Sequence, residues 1–203
     1  MAEIEWLLFL AQLPATPSSL RVNVWRRLRE AGSASLQNGV WILPHSPENR
    51  IFLERLMAYV KQNEASGQIF AVQGANPAVH DDIVARFETE RGQEYDELLE
   101  QCEEFIAEIE KETKKQKFTF AELEENEQNL QRLRKWITKI QKRDYFKTKK
   151  SQEAAAAFQN CQRILQSYTR EVYKREGINA PIEADIASDD HDPSEQEEKD
   201  ERE

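Results

Sequence analysis

The chain has 203 residues, enough for one ordinary domain with an appendage or for two small domains. Charged residues make up 33% and the mean hydropathy is -0.80, which suits long exposed helices or a disordered segment better than a single compact core. No apolar run approaches the ~20 residues needed to cross a bilayer, and two cysteines without cysteine or histidine at ligand spacing exclude a disulfide framework and a zinc site.

The start, Met1 to Trp6, carries Glu3 and Glu5 where a signal peptide would be basic, so a cytoplasmic protein is expected. The net charge of -10 is unevenly spread: about +1 over residues 1–80, -10 over 81–110, +8 over 111–180 and -9 over 181–203. Any attraction to phosphate must therefore be local.

In chain order, Trp6 to Leu13 is short and nearly all apolar and ends at Pro14, which predicts a central strand covered on both faces. Pro17-Ser18-Ser19 offers a helix cap, and Leu20, Val24, Trp25 and Leu28 recur at helical spacing until Ala31-Gly32. Leu36 to Pro44 is strand-like, with Asn38-Gly39 marking either a hairpin turn or a bend. Ser46-Pro47 caps a second helix carrying Phe52, Leu56 and Val60, and Gln68 to Val72 is a last short strand. Two helices and these strands within ~75 residues form the pattern of a ferredoxin-like βαββαβ unit.

From Asp81 the pattern becomes helical. Ile83, Phe87, Tyr95, Leu98, Cys102, Phe105 and Ile109 track one face, with a mild interruption expected at Gly92. After the basic break Lys111 to Lys117, Thr119 and Glu122 fit a capping box, and Leu123, Leu130, Leu133, Ile137 and Ile140 follow at heptad-like spacing. A third helix over 152–175 shows Phe158, Cys161, Leu165, Tyr168 and Val172. These stripes must pack on one another, on the free face of the sheet, or on a second copy. The expected class is thus α+β: a ferredoxin-like domain over 1–78, a bundle or coiled-coil extension of three long amphipathic helices over 79–176, and a disordered acidic tail over 177–203.

Catalysis finds no foothold. Cys102 and Cys161 sit within apolar stripes and have no adjacent base. His45, His80 and His191 are scattered without ligand or triad spacing, and no glycine-rich phosphate loop is present. The many carboxylates lie at regular spacing on polar helix faces. The expectation is a non-enzyme without metal or cofactor.

Two basic features remain. Arg21, Arg26, Arg27 and Arg29 crowd the first helix. Arg132, Lys135, Lys139 and Lys142 each lie two residues beyond an apolar position, ~200° away on the outward side of their helix. Arg143, Lys147, Lys149 and Lys150 extend that ridge, with Tyr145 and Phe146 interleaved where they can wedge or stack. Such a ridge can neutralise DNA phosphates. It can equally be solvated, or pair across a dimer with the acidic ridge Glu97, Glu100, Glu104 and Glu108, and the acidic tail can compete with DNA for it.

Specific strings carry a family resemblance. Leu13-Pro14, Pro17 to Leu28, Gly32, Leu36-Gln37 and Gly39 to Pro44 resemble the N-terminal domain of the chromate-resistance regulator family ChrB. The element Arg143-Asp144-Tyr145-Phe146 looks like part of that family's helical extension, so the resemblance runs over residues 5–176. It implies a transcriptional regulator of chromate efflux, with DNA and the chromate oxyanion as partners. The family's larger members carry a C-terminal sensing domain, and an acidic tail stands in its place here. The alternative is a non-catalytic interaction module that forms a homodimer or docks a separately encoded sensory domain. The first domain also resembles that of the phenylacetate-pathway repressor PaaX and of small CRISPR adaptation nucleases. Those nucleases hold a metal on an Asp ending the first strand, where this chain has Gln12-Leu13-Pro14, so a nuclease is not expected.

Overall fold

The computed structural model describes residues 6–16 and 18–178. Pro17, the segment before Trp6, and the acidic tail from 179 onward lie outside the described residues, as does the expectation of disorder there. Among the described residues the chain is α+β and mostly helical, in the order β1 (Trp6–Gln12), α1 (Ser18–Glu30), β2 (Ala34–Gln37), β3 (Val40–Pro44), α2 (Pro47–Gln62), β4 (Ser66–Val72), α3 (Pro77–Lys114), α4 (Phe120–Arg143) and α5 (Lys149–Arg175). No helix among them is long and apolar enough to cross a membrane.

The strands form one antiparallel sheet in the order β2-β3-β1-β4. β1 is central, pairing Leu8 with Ile42 on one side and with Phe70 on the other. Asn38-Gly39 is a hairpin turn. Gly39 takes φ +78 and a Cβ there would come within 2.7 Å of the Ala11 carbonyl oxygen, so glycine is required.

Alternation along β1 divides the sheet into two faces. Leu7 and Phe9, with Leu43, pack against Leu20, Val24 and Leu28 of α1 and Leu53, Leu56 and Val60 of α2. Trp6, with Ala34 and Ile42, packs against Ile83 and Phe87 of α3. A third core joins Tyr95, Leu98, Cys102, Phe105 and Ile109 to the stripes of α4 and α5. The long helices thus bury their stripes on one another, while the first turns of α3 cover the second face of the sheet.

Local chemistry sets the helix starts. The Ser46 hydroxyl accepts from the Asn49 N–H at 3.1 Å, with Pro47 in the first turn of α2. Asn76-Pro77 repeats this arrangement, so α3 starts at Pro77, four residues before the expected Asp81. Gly92 does not interrupt α3; it is buried where the stem of Lys150 passes. The capping box of α4 is half formed. Thr119 accepts from the Glu122 N–H at 3.3 Å, but the Glu122 carboxylate pairs with Lys117 at 2.8 Å instead of reaching back. Trp25 is a clear departure from expectation: it is 53% exposed. One residue past Val24 it sits ~100° off the buried line of α1.

Candidate anion-binding surface

On α1, with Leu20, Val24 and Leu28 turned inward, the basic residues face outward or sideways. Arg21 donates to the Ala15 carbonyl oxygen at 3.0 Å. Arg27 lies over the Tyr59 ring, 4.1 Å from its centre. Arg29 pairs with Glu90 at 2.7 Å. Arg26 is exposed and, among the described residues, has no partner.

On α4, burial of Leu133, Ile137 and Ile140 fixes the opposite side. Arg132, Lys135, Lys139 and Lys142 are all exposed there, as the spacing predicts. Lys135, Lys139 and Lys142 form no ion pair among the described residues. Arg134, absent from the sequence-based set, is exposed as well. Arg132 is held differently: it bonds to Asn129 and borders a 460 Å³ groove with Glu104, Glu108 and Trp136 between α3 and α4. The acidic and basic ridges therefore approach each other there, within a single chain.

Arg143 does not extend the ridge. Its guanidinium turns inward to Glu94 at 2.7 Å and to the Arg29 carbonyl oxygen at 3.5 Å. It ends a chain of alternating charge, Arg29–Glu90–Arg91–Glu94–Arg143, that ties α1, α3 and the end of α4 together. Arg91 at its centre is 2% exposed, with Glu90 at 3.3 Å and Glu94 at 3.1 Å. Burial lowers the pKa of its guanidinium, and Glu94 opposes that shift. Lys150 likewise pairs with Asp96, while Lys147 and Lys149 remain exposed.

Tyr145 and Phe146 are not available for stacking. The Tyr145 hydroxyl donates to the Ala31 carbonyl oxygen at 2.7 Å, and its ring meets Phe87 edge-on. Phe146 packs on Phe87 and Trp6. The aromatics expected to wedge or stack, with Arg143 and Asp144 before them, instead form the joint between sheet and bundle. Asp144 in the same string accepts from the Tyr95 hydroxyl at 3.1 Å, and burial pushes that phenol up to about 12.

Nothing on this surface resembles an exposed nucleophile. Cys102 and Cys161 are both buried, and the Cys161 thiol lies 3.6 Å from the Cys102 carbonyl oxygen. Contact with Cys102, together with burial, pushes the Cys161 thiol up. What the geometry offers is a row of open cations on α4 and an exposed indole amid arginines on α1. The helices' C-terminal ends meet at Arg29 and Arg143.

Two comparisons bear on this arrangement. A family model described as "Protein ChrB, N-terminal" matches residues 21–178. Protein ChrB of Cupriavidus metallidurans is 29% identical over 97 residues, which span 48% of this chain and 29% of that protein. The match thus covers under a third of that relative's length.

Proposed function

Since the chain belongs to the ChrB N-terminal family, we propose that it is a chromate-resistance regulatory protein that binds DNA and performs no catalysis. It acts in the cytoplasm on this reading, and its sheet with α1 and α2 on one face is a ferredoxin-like unit. The observation that carries the reading is the row Lys135, Lys139 and Lys142, exposed along one side of α4 and unpaired among the described residues. Three lysines left open beside a well-paired charge network favour an external polyanion as their counterion. Arg26 on α1 and Arg134 on α4 are further exposed arginines. Arg29 and Arg143 are held by Glu90 and Glu94. Chromate, as a dianion, would meet guanidinium groups on this surface.

The test is fluorescence anisotropy on promoter duplex across a salt series, with and without chromate. The wild type should give a log–log slope of about -0.9 per neutralised phosphate. The triple variant K135Q/K139Q/K142Q should flatten that slope by roughly 2.7 and lose most affinity. A flat wild-type response rejects phosphate contact.

A second reading has the chain dock a separately encoded sensory domain or a second copy, and the exposed Phe70 and Val79 favour it. Analytical ultracentrifugation separates the two: a strict monomer that binds duplex supports the first reading and removes the homodimer.

A further inference from the structure

We infer that the outer face of α1 is a stacking platform for single-stranded nucleic acid, with Trp25 as the ring on which an unpaired base lies. This rests on the reading of the chain as a nucleic-acid-binding protein and names a second ligand form for it.

Trp25 is 53% exposed and Val22, three residues before it, is 45% exposed. Burying an indole is among the larger hydrophobic gains open to any side chain, yet among the described residues no ring stacks on Trp25. Trp6, by contrast, is fully buried and packs against His80, Phe87 and Phe146.

Arg21 and Arg29 lie four residues to either side of Trp25 and so share its side of the helix. Arg21 uses one nitrogen on Ala15 and keeps its remaining donors, and Arg29 is neutralised by Glu90. Arg26, next in sequence, is exposed without a partner among the described residues. The indole thus has two guanidinium groups with open donors beside it, those of Arg21 and Arg26, a combination that complements a strand carrying both phosphates and open base faces.

A duplex does not use this combination. Its bases stack on one another and present only edges and phosphates, which leaves the indole face without a counterpart. A single strand supplies one. The platform also adjoins the α4 ridge, because Arg143 bonds the Arg29 carbonyl oxygen at the meeting of the two helix ends.

The experiment uses the full chain with fluorescein-labelled dT20, a random 20-base-pair duplex, inorganic polyphosphate and poly-L-glutamate. W25A should weaken dT20 by roughly tenfold. W25F should keep most of that affinity. The salt slope and the affinity for polyphosphate should not change, since no charge is removed. W25F should melt like the wild type and W25A within a few degrees of it, because about half of the ring is exposed, and the comparison of W25A with W25F at equal folding isolates the ring's contribution. Equal dT20 affinity in W25A and wild type overturns the inference. So does poly-L-glutamate binding as tight as dT20, which points to an acidic protein. If W25A is silent while K135Q/K139Q/K142Q loses duplex and polyphosphate, the platform falls and the α4 ridge stands. If the wild type binds none of the four, both readings fall.

Discussion

Gly32 at the end of α1 and Arg143 at the end of α4 are in van der Waals contact, so close that a Cβ on Gly32 would lie 2.7 Å from the Arg143 Cβ. Gly32 also takes φ +74, a conformation other residues adopt only under strain. Gly32→Ala should therefore cost about 2 kcal/mol, lowering the melting temperature by roughly 5 °C for a chain this size. Differential scanning calorimetry measures it, and an unchanged melt refutes the contact.

Glu94 stands between buried Arg91 and half-buried Arg143. Glu94→Gln removes the charge that both guanidinium groups use, and should cost about 3 kcal/mol in urea denaturation. Arg143→Met should also destabilise, and the double variant should lose less than the two single losses combined, because the groups act on one another.

Tyr145 tests whether the joint is structural. Tyr145→Phe loses the hydrogen bond to the Ala31 carbonyl oxygen and should cost about 1 kcal/mol. Duplex affinity should be unaffected, since the ring does not reach the surface row on α4. A selective loss of DNA binding at unchanged stability would restore Tyr145 to the interface.

Tyr95 is wholly buried, and its phenol rises to about 12 from the ordinary 10, chiefly through burial. A raised folded-state pKa favours the neutral form in the folded protein. The associated stability is complete below pH 10 and is lost as pH climbs from 10 towards 12, by roughly 2–3 kcal/mol. Burial shifts Tyr145 in the same direction. Urea midpoints between pH 9 and 12 should fall, and Tyr95→Phe should flatten part of that fall.

How much of this was legible in the sequence depends on whether a residue's fate is set locally. Ser46-Pro47, Asn38-Gly39 and the stripe Leu133, Ile137, Ile140 carry their meaning within a few residues, and each appears where the spacing puts it. The outward direction of Lys135, Lys139 and Lys142 follows from that stripe by helix geometry. Asn76-Pro77 was equally readable, but the polar stretch after it hid the start of α3. Arg143 and Tyr145 were not readable. Their partners Glu94, Ala31 and Asn49 lie 49 to 114 residues away, and only the folded chain brings them together. Trp25 needed a finer measure than apolar recurrence, since Val24 and Trp25 are neighbours and cannot both point into one core.

The 38 residues of α3 run without a break from Ile83 and Phe87 under the sheet to Ile109 deep among the other helices. At 1.5 Å per residue this is a beam of about 57 Å with no hinge along it. The same helix thus carries Glu90, which holds Arg29 of α1, and Glu94, which holds Arg143 at the end of α4, so α1 and α4 are braced against one continuous element.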